Sequence, residues 1–237
     1  MQPSGTIGGE YLAPDAKHMT LENINFEIIA CRKCPRLVVW REQVAREKRK
    51  AYKDEEYWGK PVPGFGDPSA RVLVVGLAPG AHGSNRTGRQ FTGDASGKFL
   101  YPALFRAGFA DQPHSTARGD GLILHDLYIT ASGRCAPPGN KPTNEELDNC
   151  QPFLESELAL IKPKVIVVLG RTAFDRILRV KSNHPGGWKF AHGAVFKFAD
   201  GTCLLCSYHP SQQNTSTGKL TITMFDQIWK KAKNFLK

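Results

Sequence analysis

The sequence predicts an α/β fold in which helices cover both faces of a central, mainly parallel four-stranded sheet, giving three α/β/α layers. Four short apolar runs, rich in aliphatic and β-branched residues, alternate with segments of helical periodicity. Buried parallel strands have this composition because both of their faces are covered. Strands that alternate with helices typically join one parallel sheet. The predicted strands are Arg71–Val75, Leu122–Thr130, Lys164–Leu169 and Cys203–Tyr208.

Helical segments precede, connect and follow these strands. Apolar side chains recur at helical spacing in Thr20–Ala30, and Thr20 is a residue type that favours the N-cap. The densely charged segment Leu37–Tyr57 predicts a solvated helix that could also face a phosphate backbone. Four further helices are predicted: Lys98–Ala107, Asn144–Ile161, Arg171–Arg179 and Leu220–Lys237.

The domain organisation follows from composition. Residues 1–19 are rich in glycine, proline and small polar side chains, which predicts a flexible N-terminal tail. The remainder contains no internal repeat and no change of composition, so residues 20–237 are predicted to form a single domain. A chain of 237 residues is long enough to bury a sizeable core.

The charge balance narrows the possible partners. Lys and Arg number 32 against 22 Asp and Glu, a net charge of +10, which favours a polyanion such as nucleic acid or an anionic membrane. No apolar run approaches the ~20 residues that span a bilayer. The first twenty residues lack the apolar core of a secretory signal, so we expect a cytoplasmic protein. In a reducing compartment, six cysteines favour metal or redox chemistry over disulfides.

A glycine-rich stretch, Gly76–Gly97, follows the first predicted strand and precedes a predicted helix. A strand, a glycine-rich loop and a helix commonly present backbone N–H groups to an anion. The stretch resembles a Walker A loop in its Gly83–Gly88 spacing. However, Arg89 and Gln90 stand where that motif needs Lys followed by Ser or Thr. The near match therefore argues against an ATPase.

The other predicted strands also end in polar segments rich in glycine or proline. These segments are residues 131–140, 170–172 and 209–214. Sites in open α/β sheets gather at the carboxyl ends of the strands. The sequence therefore predicts an enzyme-like site at this edge.

The cysteines fall into two groups. Cys203 and Cys206 lie three residues apart in one predicted strand, so they should face opposite sides of the sheet as small buried apolar residues. The other four lie in loops or at helix ends, where thiolates can converge: Cys31, Cys34, Cys135 and Cys150. Such a set suits either tetrahedral zinc or an iron–sulfur cluster, and spacing does not distinguish them.

Several of these motifs resemble those of one known family. The segments Gly76–Gly80 (GLAPG) and Gly88–Gly97 (GRQFTGDASG) resemble the first motif of uracil-DNA glycosylases. The triplet His209-Pro210-Ser211 resembles their second motif. The cysteine spacing is similar to that of the iron–sulfur-containing microbial branches. Within those, GLAPG matches family 5 (type b), whereas family 4 carries Glu at the position of Leu77. The resemblance runs from about Cys31 to the C-terminus.

The resemblance implies a monofunctional DNA glycosylase of base-excision repair. Such an enzyme flips a damaged nucleotide out of the duplex, at a cost of a few kcal/mol, and hydrolyses its N-glycosidic bond. The positive charge would supply phosphate attraction. We expect a monomer that acts on damaged DNA. The resemblance also favours a [4Fe–4S] cluster over zinc at Cys31, Cys34, Cys135 and Cys150.

The resemblance also suggests catalytic residues. His209 would donate a hydrogen bond to the departing base, and Asp94 would hold the attacking water because Leu77 cannot. Asp94 could equally be the N-cap of the following helix. Asn140 could help to hold the water or the base, or could occupy a turn.

Other residues would bind the base and the DNA. Phe91 would stack on the flipped base, although it could instead be a core residue. The expected base pocket further includes Gly76, Ala78, Pro79, Gly80 and Ser211. The expected DNA contacts are Arg86 and Arg89 on phosphates, and Gln212, Gln213 and Asn214 in a loop that enters the duplex.

One departure from the family pattern concerns specificity. Related uracil enzymes carry Asn four residues before the third cysteine, where it contacts the Watson–Crick edge of uracil. Here that position is Ala131. Without a bidentate polar contact, a pocket rejects other bases less strongly. We therefore expect activity on uracil and on deaminated bases such as hypoxanthine or xanthine. The alternative is a non-catalytic nucleic-acid-binding protein with a structural four-cysteine metal site.

Overall fold

The structure is a computed structural model that describes residues 19–237. Apart from Met19, the predicted N-terminal tail lies outside these residues. The helices are α1 (Leu21–Ala30), α2 (Pro35–Glu47), α3 (Ser84–Thr87), α4 (Ala95–Arg106), α5 (Asn144–Ile161), α6 (Arg171–Val180), α7 (Gln212–Ser216) and α8 (Ile222–Asn234). The strands are β1 (Phe65–Gly66), β2 (Val72–Gly76), β3 (Leu127–Ala131), β4 (Val165–Leu169), β5 (Val195–Lys197) and β6 (Cys203–Ser207). No helix in this part of the chain is long and apolar enough to cross a membrane.

The sheet has the order β1-β3-β2-β4-β6-β5. Its four inner strands are parallel, as predicted, and correspond to the four apolar runs. Two short edge strands, β1 and β5, pair antiparallel and were not predicted. With only two and three residues, and side chains that are not fully buried, they leave no apolar run to recognise. Since the chain passes from β3 across β2 to β4, the strand order reverses between β2 and β4, where α/β folds place their ligand crevice.

Alternate side chains of the inner strands supply two separate cores. Val72 and Val74 face α4 and α8, whose buried side chains include Leu100 and Trp229. The intervening side chains face α5 and α6; this second core includes Leu73, Val75, Leu154, Phe174 and Ile177. The period-two alternation of a buried strand therefore produces the three predicted layers.

Cys203 and Cys206 obey the same alternation. Cys203 packs against the core under α4 and α8, whereas Cys206 belongs to the core under α5 and α6. The two thiols therefore lie on opposite faces of β6, as their spacing predicts.

Several predicted boundaries differ from the structure, among them the ends of the C-terminal helix, which spans Ile222–Asn234. The charged helix ends at Glu47, not near Tyr57, because Lys48 takes a left-handed φ of 54°. The strand predicted from Leu122 begins only at Leu127, since Asp126 also takes a positive φ, of 56°. The helix after the glycine-rich stretch begins at Ala95, three residues before the predicted start.

Candidate active site and metal centre

The glycine-rich stretch folds back so that Asp94 lies against its first half. The Asp94 carboxylate approaches the backbone at Gly83 so closely that a Cβ there would collide with it. Asp94 Oδ1 accepts a hydrogen bond from the Gly97 N–H at 3.0 Å and so caps α4. The capping interpretation of Asp94 is therefore confirmed, and its proximity to the loop leaves the catalytic interpretation open.

The Asp94 carboxyl is half-buried beside this backbone. Burial raises its pKa above the usual range, while the N–H groups of Gly97 and Ser96 and the charge of Arg86 oppose the change. Desolvation makes a carboxylate a stronger base. The shift moves this carboxylate towards the pKa range in which general bases act.

Phe91 and His209 come together at the ends of β2 and β6. Their ring centroids lie 5.9 Å apart with an interplanar angle of 31°. The Phe91 ring covers Gly76 so closely that a Cβ on Gly76 would lie 2.8 Å from it. Phe91 itself adopts a left-handed φ of 53°, a conformation costly for a bulky residue. Such strain is typical of functional sites. The ring also belongs to the core and is only 7% exposed.

His209 is held through its backbone and is electrically neutral. Asn214 donates from Nδ2 to the His209 carbonyl at 2.8 Å, and the Asn214 N–H donates to Ser211 Oγ at 3.3 Å. Burial lowers the pKa of His209 to about 4. Near pH 7 the imidazole therefore offers a neutral N–H donor, a protonation state that sequence reasoning could not assign.

The start of the glycine-rich stretch is fastened to the segment after β3. The backbone N–H and the Oγ of Ser132 both donate to the Gly76 carbonyl, at 2.9 and 3.1 Å. The Gly133 N–H donates to the Leu77 carbonyl at 2.8 Å. Ala131 lies in register with Gly76 and is buried. Ala131, the position expected to affect base specificity, therefore lies at the strand ends.

Arg86 is buried within the glycine-rich stretch. Its Nε donates to the His82 carbonyl at 2.8 Å and its Nη2 to the Gly93 carbonyl at 3.0 Å, and it forms an ion pair with Glu55. A guanidinium with these partners links two parts of the stretch. The structure therefore argues against the predicted phosphate contact, and we assign Arg86 to bracing the loop.

Arg89 is likewise turned inward. Its Nη2 donates to Ser115 Oγ at 2.6 Å and pairs with Asp120, and its Nε donates to Thr92 Oγ1 at 3.2 Å. The residue is 5% exposed. This arrangement argues against the predicted phosphate contact for the same reason: a buried guanidinium needs an internal partner.

The remaining predicted residues divide by exposure. Asn140 is exposed in a single 3-10 turn and has a left-handed φ of 58°, which Asn tolerates well. Gln212 and Gln213 are exposed on α7. Asn214 instead points inward to the His209 carbonyl. The Asn214 amide would therefore have to give up its hydrogen bond to the His209 carbonyl in order to contact DNA as predicted.

The four cysteines outside β6 line one small pocket, with a cavity volume of about 10 Å³. Cys31 ends α1, Cys34 caps α2, Cys135 follows β3 and Cys150 lies in α5. We call these four residues the cysteine centre. No three His, Cys, Asp or Glu side chains within residues 19–237 converge closely enough to hold a single metal ion.

The chemistry of the cysteine centre suits a metal cluster. Burial raises the pKa of Cys135 to about 12, and it also raises the pKa values of Cys34 and Cys150. Buried thiols of this kind ionise only beside positive charge, such as a metal supplies. Two donors already point at sulfur: Arg41 Nη1 lies 2.8 Å from Cys135 Sγ, and Asn149 Nδ2 lies 3.5 Å from Cys34 Sγ.

Arg41 is the residue that sequence reasoning missed. It lies in the charged segment Leu37–Tyr57, whose composition predicts a solvated helix, yet Arg41 is only 2% exposed. A signal exists in the sequence, because Arg41 occupies an apolar position of the helical stripe that contains Leu37 and Val44.

Comparison with known proteins gives a consistent result. The sequence model of the Uracil DNA glycosylase superfamily matches residues 63–233. The type-5 uracil-DNA glycosylase of Thermus thermophilus is 55% identical over 211 residues, covering 87% of this chain and 94% of that protein. That of Mycobacterium leprae is 50% identical, covering 90% and 95%. A type-4 uracil-DNA glycosylase of Archaeoglobus fulgidus is 34% identical, covering 68% and 65%.

Proposed function

The chain belongs to the uracil-DNA glycosylase superfamily, and from this we propose that it hydrolyses the N-glycosidic bond of uracil in DNA. The observation that carries the proposal is the pairing of Phe91 with a neutral His209 at the carboxyl edge of the sheet. An aromatic face and an N–H donor are the two groups that a flipped base needs: one stacks on it and the other receives its developing charge.

The proposed reaction uses three side chains. Phe91 stacks on the extruded base, and His209 donates its N–H to a base oxygen as the bond to the sugar breaks and its electron pair passes to the base. Water attacks the sugar carbon, and its proton passes to the Asp94 carboxylate. The products are a free base and an abasic site. The desolvated Asp94 supports this assignment, with Asn140 as a further candidate for holding the water.

The proposed substrate range extends beyond uracil to hypoxanthine and xanthine. The support is Ala131, a methyl side chain at the strand end beside Gly76 where related enzymes carry a polar contact. A site without buried groups that must be hydrogen-bonded discriminates weakly among bases. Ala131→Asn should therefore narrow the range by lowering excision of hypoxanthine more than of uracil.

The DNA contacts proposed here come from the net charge of +10 and the exposed Gln212 and Gln213 on α7. Phosphate attraction of this kind is non-specific and salt-dependent. We propose that the protein acts as a monomer on DNA in the cytoplasm.

We propose that the cysteine centre holds a [4Fe–4S] cluster, with zinc as the alternative. Four thiols around a common pocket, with two hydrogen-bond donors directed at sulfur, support this assignment. A bound cluster would supply a cross-link between the α1–α2 corner and the segment from β3 to α5. Iron, sulfide and zinc analysis of the purified protein distinguishes the two metals.

An oligonucleotide assay tests the proposed activity. An end-labelled duplex with a single uracil is incubated with the protein and then heated in alkali, which cleaves abasic sites. We expect a fragment that ends at the uracil position, and a second duplex with hypoxanthine should yield a fragment as well. DNA that stays intact although it binds the protein would favour the non-catalytic alternative. Cleavage of the uracil duplex alone would remove the broad-range proposal.

A further inference from the structure

We propose that Arg41 is a positioning residue that ties the cysteine centre to the glycine-rich stretch. The inference rests on the proposed cluster and the proposed glycosylase activity. Its starting point is the burial of Arg41, which is 2% exposed on the inner face of α2. A buried guanidinium is costly unless an anion and hydrogen-bond acceptors surround it.

Arg41 finds its acceptors at the cysteine centre. Nη1 donates to Cys135 Sγ at 2.8 Å and Nη2 to the Cys31 carbonyl at 3.3 Å. Its nearest carboxylate, that of Glu42, lies 4.0 Å away and is already engaged by the exposed Arg32. Sulfur is therefore the principal buried side-chain acceptor for Arg41, and a ligated thiolate at Cys135 would supply the counter-charge.

One polar atom of the Arg41 side chain lacks a hydrogen-bond partner. Its Nε is buried and has no hydrogen-bond partner among residues 19–237, while the residue lines the pocket that the four cysteines surround. An orphaned donor in such a position calls for a further acceptor in the pocket. The ligated thiolates and sulfides of an iron–sulfur cluster are acceptors of the required kind.

The backbone of Arg41, in contrast to its side chain, contacts the glycine-rich stretch. Its carbonyl accepts a hydrogen bond from Asn85 Nδ2 at 3.3 Å. Asn85 is fully buried in α3, within the glycine-rich stretch, and its Nδ2 also lies 3.4 Å from the Ala81 carbonyl. The same stretch contains Gly83, against which Asp94 packs. One residue therefore contacts both a thiol of the cysteine centre and the loop that carries the proposed water-holding carboxylate.

This arrangement predicts two separable effects. The side chain of Arg41 should stabilise the ligated thiolate, so its loss should weaken iron retention and lower the reduction potential, because removing a positive charge disfavours the added electron. The Asn85 link should affect only the loop. Its loss should lower kcat while iron content stays unchanged.

The test compares four purified holoprotein variants with the wild type. They are Arg41→Met, Arg41→Lys, Asn85→Leu and the control Arg32→Met, which removes an equal charge from an exposed site beside Cys31. The readouts are iron per protein, the half-time of iron release to a chelator, the reduction potential and single-turnover excision of uracil. Outer-shell partners of metal ligands commonly change affinity by about 10- to 100-fold.

We expect Arg41→Met to shorten the iron-release half-time about tenfold or more, with partial rescue in Arg41→Lys and no change in Arg32→Met. We expect Asn85→Leu to keep its iron and lose single-turnover rate. If Arg41→Met folds poorly, Arg41→Lys still tests the inference, because it retains charge but not the forked hydrogen bonds.

Three outcomes would overturn the inference. Iron release from both Arg41 variants could match that from Arg32→Met, which would refute it while leaving the proposed activity intact. Asn85→Leu could keep the wild-type rate, which would refute the link to the loop. Wild-type protein without iron would remove the basis of the inference, and wild-type protein with iron but no excision would instead refute the proposed function.

Discussion

Buried ionisable groups have different surroundings in two regions of the molecule. One region is the strand-end site, formed by Phe91, Asp94 and His209, and the other is the cysteine centre. At the strand ends, burial raises the pKa of Asp94 and lowers that of His209 to about 4. No counter-ion is in hydrogen-bond contact with either side chain in the described chain. At the cysteine centre, a guanidinium and an amide already donate to sulfur. Asp94 and His209 are thus partly buried without an ion-pair partner within hydrogen-bond distance among residues 19–237, whereas Cys135 and Cys34 each have a hydrogen-bond donor at sulfur.

The two regions also differ in the regularity of their backbones. The strand-end site contains Phe91 at a positive φ and a glycine at which any Cβ would collide. At the cysteine centre, three of the four cysteines lie within a helix or at a helix end, and Thr143 begins α5 with a complete capping box. Arg36 further clamps the start of α2 to Glu146 of α5 through two hydrogen bonds of 2.7 Å. Backbone strain therefore lies at the strand-end site, whereas regular helix termini flank the cysteine centre.

The largest expected effect is a loss of thermal stability when the cysteine centre is mutated. Cys135→Ser should lose the metal and lower Tm by roughly 10 °C or more, since structural metal sites contribute folding free energy and each kcal/mol is about 2–4 °C in a domain of this size. Thermal melting and iron analysis measure the change. The control is Cys203→Ser, a cysteine outside the centre, which should keep its iron. Equal metal content in the two variants would contradict the assignment.

The next effect is on rate. His209→Ala should lower single-turnover excision by about 10²- to 10³-fold, the usual cost of removing one donor to a developing anion, with Tm nearly unchanged. The exposed His114 supplies a matched control, because His114→Ala removes an imidazole far less buried. If both variants excise uracil equally well, His209 has no catalytic contribution.

A conservative change separates the two contributions of Asp94. Asn is as good an N-cap as Asp, so Asp94→Asn should preserve α4 while lowering excision by about 10²-fold through loss of the base. Asp94→Ala should in addition lose about 1 kcal/mol of stability with the cap. If Asp94→Asn excised uracil at the wild-type rate, Asp94 would cap α4 but would not contribute to catalysis.

The smallest effect is on the pH dependence. Because the pKa of His209 in the folded protein, about 4, lies below the ordinary 6.5, its imidazole stays neutral in the working range. The unfolded chain binds this proton more readily, so His209 lowers stability as pH falls from about 6.5 towards 4. Excision should therefore show no inflection near pH 6.5, and its acid limb should follow Asp94.

A pH series of single-turnover rates checks this expectation. The wild type should lose rate on the acid side as Asp94, whose pKa is raised by burial, becomes protonated. Asp94→Asn should lack that limb. A wild-type inflection near pH 6.5 that disappears in His209→Ala would show that His209 titrates during the reaction.

The sequence by itself determined the features that neighbouring residues encode. The four parallel strands follow from apolar runs, the cap of α4 from Asp94, and the opposite orientations of Cys203 and Cys206 from strand alternation. The motifs at Gly76–Gly97 and His209-Pro210-Ser211 indicated the family that the comparisons then established. These features depend on residues that are close in sequence, so they can be predicted without knowledge of the fold.

Only the tertiary structure decided where long charged side chains go and how burial changes them. Arg86 and Arg89 turn inward, and Arg41 reaches the Cys135 thiol across 94 positions of sequence. The neutrality of His209 likewise depends on the atoms that exclude water from it. The free energy of a charge depends on distant partners and on solvent access, and neither quantity is encoded in the residues next to it.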